Sequence, residues 1–161
     1  MRIVVWLAEG TWQAGVDAAA RFAPADAHVV LLHVVDPALA ASVHGAYTGL
    51  IGRGRRGTDP GAALANAADA AEQTLLHAAA TRLGRPAEPL TRRGRLEREV
   101  TAAAAEADLL IAVRDGDRTR LGPRSLAPAT RFVVDHAACP VMLVWPQSPP
   151  GLATIPPPPT P

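Results

Sequence analysis

Lysine is missing altogether: all sixteen basic residues of this 161-residue chain are arginine. No side-chain amine is therefore available for Schiff-base or general-base work. A single cysteine, Cys139, excludes an intramolecular disulfide and any cysteine-based metal cluster, and fits a reducing compartment. Aromatic residues supply only 4% of the chain, so a core must be assembled from Ala, Val and Leu. A net charge of +1 leaves no global field to recruit nucleic acid or an anionic membrane. The apolar start, Met1–Ala8, is stopped by Glu9 and is far shorter than a membrane span. These features predict a cytoplasmic protein with neither nucleic acid nor membrane as partner.

What is present is ordinary globular chemistry, 48% hydrophobic and 19% charged, in a length that suits one domain. Ile3–Leu7, His28–Val35, Asp108–Val113 and Cys139–Trp145 are continuous apolar, β-prone runs of the kind found in strands covered on both faces. A weaker strand lies at Glu88–Arg92. Between them fall helical patterns. Thr11 offers a cap to a helix running through Val16, Ala19, Ala20 and Phe22 to the stop at Pro24. Asp59-Pro60 starts another, with Leu64, Ala67, Ala68, Ala71, Leu75, Ala78 and Ala79 on one face and Gly84 at its end. Leu96, Val100, Ala103, Ala104 and Ala107 mark a third. The segment Pro128–His136 forms a fourth, with Phe132 and Val133 inward. Alternation of strand and helix implies right-handed crossovers and a mainly parallel five-stranded sheet with helices on both faces. Ligands of such sheets sit at the carboxyl ends of the strands, so the loops after Leu7, Val35 and Val113 are the places to inspect. Residues 147–161 are Pro-rich with no apolar face, which predicts a disordered tail beyond a domain of residues 1–146.

Three segments carry a family resemblance. Leu31-Leu32-His33-Val34-Val35-Asp36-Pro37 resembles the second strand of the universal stress proteins, Asp108–Val113 their fourth strand, and His136–Val144 their closing helix–strand junction. The similarity spans about Arg2 to Trp145. It implies a flavodoxin-like or adenine-nucleotide α-hydrolase-like α/β fold, and a homodimer formed through the last strand. Val141, Met142, Leu143, Val144 and Trp145 would make that interface. Independently, an apolar strand at a sheet edge is a liability unless covered or paired.

One branch of the family holds ATP through a glycine loop after the fourth strand. Counted back from Cys139, its glycines should fall at Arg114 and Asp117, and its Gly-Ser pair at Ala127-Pro128, so none of the four positions matches. Pro128 also lacks the N–H that a phosphate would want. The aspartate that the family places after the first strand falls at Ala8 or Glu9, depending on a one-residue gap, and Glu9-Gly10-Thr11 resembles a longer relative of the usual Asp-Gly-Ser. A nucleotide would otherwise depend on Val34 and on a rearranged loop carrying Arg114, Gly116, Arg118, Arg120, Gly122 and Ser125, since arginine can hold phosphate through forked hydrogen bonds. A solvated charged loop with internal ion pairs is the competing explanation of that segment.

The remaining candidates are weaker. Gly52–Gly57 has three arginines but no interleaved aromatics, and reads as a solvated loop before an RNA clamp. His33 and His136 read as structural, and no His spacing suggests zinc. Ser42 and Ser125 lack a nucleophile-elbow setting. Cys139 reads as a small buried apolar residue. Trp12 could wall off the crevice or stack on a base. No catalytic residue is assigned. The sequence points to a non-enzymatic, regulatory homodimer acting through an unidentified protein partner without ATP. The alternative is a sensor of AMP, ADP or ATP.

Overall fold

The computed structural model describes residues 1–36 and 60–157, with the backbone alone for 60–66. Gly52–Gly57 and Ser42 lie outside the described residues. Five strands, β1 (Arg2–Trp6), β2 (His28–Val35), β3 (Glu88–Arg93), β4 (Leu109–Val113) and β5 (Val141–Val144), alternate with helices α1 (Trp12–Phe22), α2 (Pro60–Leu83), α3 (Leu96–Ala104) and α4 (Pro128–His136). Every pairing is parallel and the order is β3-β2-β1-β4-β5. Of the two fold names above, this order fits the adenine-nucleotide α-hydrolase arrangement, since flavodoxin strands run 2-1-3-4-5.

The continuous apolar runs form the interior strands because alternate residues serve two cores. Ile3, Val5, Val29, Leu31 and Ile111 pack with Val16 and Ala19 of α1 and Ala79 and Leu83 of α2. Val4, Trp6, Val30, Leu32, Leu110 and Ala112 pack on the opposite face with Val100, Ala103 and Ala104 of α3 and Val133 of α4. Helix α1 lies close to the sheet at Gly15. A Cβ there would stand 3.2 Å from Val113 Cγ2 and 3.4 Å from Val5 Cγ1. Gly15→Val is therefore expected to destabilise the protein by about 1–3 kcal/mol through overpacking, read as a lower midpoint in urea.

Four local expectations change. Phe132 does not point inward: it is 39% exposed and stacks on His136 with ring centroids 4.0 Å apart, while Val133 alone enters the core. Neighbouring positions on a helix point about 100° apart, and on α4 the turn that buries Val133 leaves the large Phe132 ring at the margin. Ala67, Ala68 and Ala71 of α2 are exposed, and core contact begins at Leu75. Alanine stripes favour helix in water as readily as against a core. Thr11 stands at the N-cap of α1, yet its hydroxyl donates back to the Ala8 carbonyl at 3.3 Å instead of capping a helical N–H. The Pro-rich tail carries one turn of 3-10 helix, Leu152–Thr154, where Thr154 Oγ1 accepts from the Leu121 N–H at 3.1 Å.

The two sheet edges differ. On β3 the outer strand carries Glu88, Pro89, Arg92 and Arg93, which blunt an edge against pairing. On β5 the sequence is Val-Met-Leu-Val, all half-buried, with β4 as the neighbour on one side.

Candidate functional site

The direction of connection reverses between β1 and β4, which puts the crevice of this sheet beyond their carboxyl ends. On the β1 side, Glu9 and Gly10 are exposed and Thr11 is buried. Val34, near the end of β2, is buried in the same core as Trp6 and Val100. Trp12 is half-buried and packs against the α1–α2 core.

The β4 side is the segment from Arg114 to Ala127, and it is closed on itself. The Gly116 N–H donates to the Ser125 carbonyl at 3.0 Å and the Asp117 N–H to the Arg124 carbonyl at 2.8 Å, so the two limbs of the loop zip together. A Cβ on Gly116 would stand 2.4 Å from the Arg124 carbonyl oxygen and 2.8 Å from the Ser125 carbonyl carbon. The glycine is needed because backbone approaches backbone within this loop. Gly122, at φ 118, turns the chain into a one-turn 3-10 helix over Pro123–Ser125.

The side chains complete the closure. Ser125 is fully buried; its hydroxyl accepts from Arg114 Nη1 and donates to the Gly122 carbonyl at 2.6 Å. The Arg114 guanidinium also lies over the Trp145 ring, 4.9 Å from its centroid. Arg120 pairs with Asp117 at 3.1 Å. Hydrogen bonds from the Thr119 hydroxyl and N–H, with Arg120 beside them, hold the Asp117 carboxyl below the usual carboxylate range. Arg118 and Arg124 are exposed, and neither guanidinium has a partner among the described residues.

One residue central to this site was not singled out from the sequence: Asp115. Its Oδ1 accepts from the Ala127 N–H at 2.9 Å and its Oδ2 from the Thr130 hydroxyl at 2.7 Å, with Thr130 fully buried. Ala127 is the N-cap of α4 and Pro128 follows it. The carboxylate thus sits at the positive end of the helix, where free N–H groups and the macrodipole favour an anion. An aspartate inside a charged loop gives no sequence signal for this role, because its partners follow only after the loop turns back.

The structure therefore brings Arg114, Gly116, Gly122 and Ser125 into one closed loop. Arg118 and Arg120 lie on its exposed rim. No hydrogen bond or ion pair among the described residues links Glu9, Gly10, Thr11 or Val34 to that loop. Two shallow hollows are present, one far from this loop and one that adjoins it at Leu126. One of about 510 Å³ at the opposite end of the sheet includes His28, Arg85 and Glu88, and one of about 370 Å³ runs along α4 past Leu126, Pro128 and Phe132. Among the described residues no three potential metal ligands cluster, and no helix is long and apolar enough to cross a membrane. His33 is half-buried with Nδ1 unpartnered, and the His136 ring nitrogen Nδ1 meets the Phe132 carbonyl at 2.8 Å. Cys139 is half-buried against the α3–α4 core, and burial pushes its thiol above the ordinary range.

A five-stranded parallel sheet of this order, with its crevice at the β1–β4 switch, defines a doubly wound α/β protein. No family model matches the sequence, and no curated protein matches it either. Solved structures do. Hypothetical protein MJ0577 superposes with a TM-score of 0.62 at 19% identity, covering 91% of this chain and 96% of that one. A universal stress protein in complex with cAMP gives 0.60 at 17% identity, covering 91% and 98%. A universal stress protein family protein from Arabidopsis thaliana with AMP bound gives 0.55 at 16% identity, covering 90% and 91%. The fold is that of the universal stress proteins.

Proposed function

We propose that this chain is a universal stress protein-like regulatory protein that acts as a homodimer through β5 and on a protein partner, without gripping ATP through the β4–α4 loop. One observation carries the second half of this reading. The helix end that would receive a phosphate already receives the Asp115 carboxylate, and the loop amides at Gly116 and Asp117 are spent on the Ser125 and Arg124 carbonyls. A phosphate would have to displace an internal anion and unzip two backbone bonds. The unblunted edge of β5, against the Pro- and Arg-protected edge of β3, supports the dimer.

A nucleotide-sensing reading draws on the cAMP- and AMP-bound neighbours and on the two unpartnered arginines, Arg118 and Arg124. The two readings separate in one experiment. Ligand at a hundred times its dissociation constant stabilises a folded protein by about 2.7 kcal/mol. For a chain of this size that is a rise in Tm of roughly 5–10 °C. With millimolar ATP or AMP and Mg²⁺, Tm is expected to stay unchanged, and heat-denatured protein to release no adenine nucleotide. A nucleotide-dependent rise in Tm that Arg118→Ala with Arg124→Ala removes establishes the sensor instead.

A further inference from the structure

The tail after β5 carries an apolar pair that no described residue covers. Leu152 is 78% exposed and Ile155 55% exposed. They are not on a loose strand. The turn that carries them is held by the Thr154 N–H to the Gly151 carbonyl at 3.0 Å, the Ile155 N–H to the Leu152 carbonyl at 3.1 Å, and the Leu121 N–H to Thr154 Oγ1 at 3.1 Å. In 3-10 geometry residues three apart eclipse, so Leu152 and Ile155 emerge on one side. Met1, Phe22 and Phe132 are the other exposed large apolar residues among those described, and of these Phe132 lines the hollow of about 370 Å³ along α4, where it stacks on His136.

The β5 edge relates the two. Identical edges brought together by a two-fold axis pair antiparallel, so the end of one β5 meets the start of the other. Val144 of one copy would then lie beside Pro140 and Cys139 of the other, close to the carboxyl-terminal end of its α4, and the tail turn, held at Leu121 of its own β4–α4 loop, would stand at that same end of the joint. A two-fold perpendicular to the joined sheet keeps both α4 helices on the same face. We propose that the tail turn of each protomer seats Leu152 and Ile155 in the α4 hollow of a second copy, against Phe132, so that reciprocal tails clamp the β5–β5 joint. The proposal rests on the β5 dimer proposed above and adds to it a second, apolar contact on each side.

The test uses the full chain in a dilution series followed by native mass spectrometry or light scattering. Leu152→Asp with Ile155→Asp, and separately Phe132→Asp, are expected to raise the dimer dissociation constant by about tenfold or more. All three residues are exposed in the protomer, so circular dichroism should be unchanged. Because the side chains touch one another, the triple variant should lose little beyond either change alone. A wild-type dimer whose dissociation constant is unmoved by these changes, or is moved additively, overturns the clamp and leaves the β5 joint standing. A wild-type monomer at tens of micromolar overturns the joint and the clamp together.

Discussion

Asp115→Ala is expected to destabilise the protein by about 2–4 kcal/mol, since it removes an ionised acceptor shared by two donors. The Thr130 hydroxyl loses its acceptor while fully buried, and the Ala127 N–H is left bare at the start of α4. Asp115→Asn keeps one oxygen for the Ala127 N–H and should lose less. The informative arm is anion dependence. With the carboxylate gone, inorganic phosphate or sulfate can occupy the helix end that Asp115 held. Sulfate should therefore raise the Tm of Asp115→Ala more than that of the parent, at an ionic strength matched with chloride. Equal shifts for both proteins would mean that the carboxylate does not occupy an anion site.

Gly116→Ala should cost a similar amount for a different reason. The added methyl would meet the Arg124 carbonyl oxygen at 2.4 Å and the Leu126 nitrogen at 2.9 Å, and both are main-chain atoms that cannot swing aside. Relief requires the two limbs of the loop to part, which breaks the Gly116–Ser125 and Asp117–Arg124 bonds. Overpacking of about 1–3 kcal/mol is joined by about 1 kcal/mol for each lost hydrogen bond. Urea unfolding measures the sum, and limited proteolysis should show new cuts between Arg118 and Arg124. A variant as stable and as resistant as the parent would mean that the loop is not closed as described.

Much of the fold was legible in the sequence because burial on two faces writes itself as unbroken apolar runs. Ile3–Leu7, His28–Val35 and Leu109–Val113 are such runs, and they are the three central strands. The outer strand β3, with one edge in water, reads Glu-Pro-Leu-Thr-Arg-Arg and is faint for that reason. Strand order needed the coordinates, since alternation alone does not say on which side of β1 each crossover lands. Phe132 was misplaced because periodicity cannot choose between neighbours, and the stack on His136 decides the matter.

The site was legible in one respect: the absent glycines at Arg114 and Asp117 and the imino acid at Pro128 could be counted. The sequence could not say what replaced a ligand. Gly116 looked like a displaced phosphate glycine, and its purpose is contact with the chain's own backbone. Ser125 looked like an unassigned hydroxyl, and it is consumed by Arg114 and Gly122. Asp115 was indistinguishable from Asp117 two residues on, yet one faces a buried helix end and the other an exposed Arg120. Those distinctions arise from tertiary closure and have no local signature.

Titration of the ¹⁵N-labelled protein with Mg·ATP, followed by the amide resonances of Gly116, Asp117, Ser125 and Ala127, reports directly on whether this loop is already satisfied. All four are expected to stay fixed up to millimolar nucleotide. Saturable movement of these amides, tracked to a single dissociation constant, would contradict that.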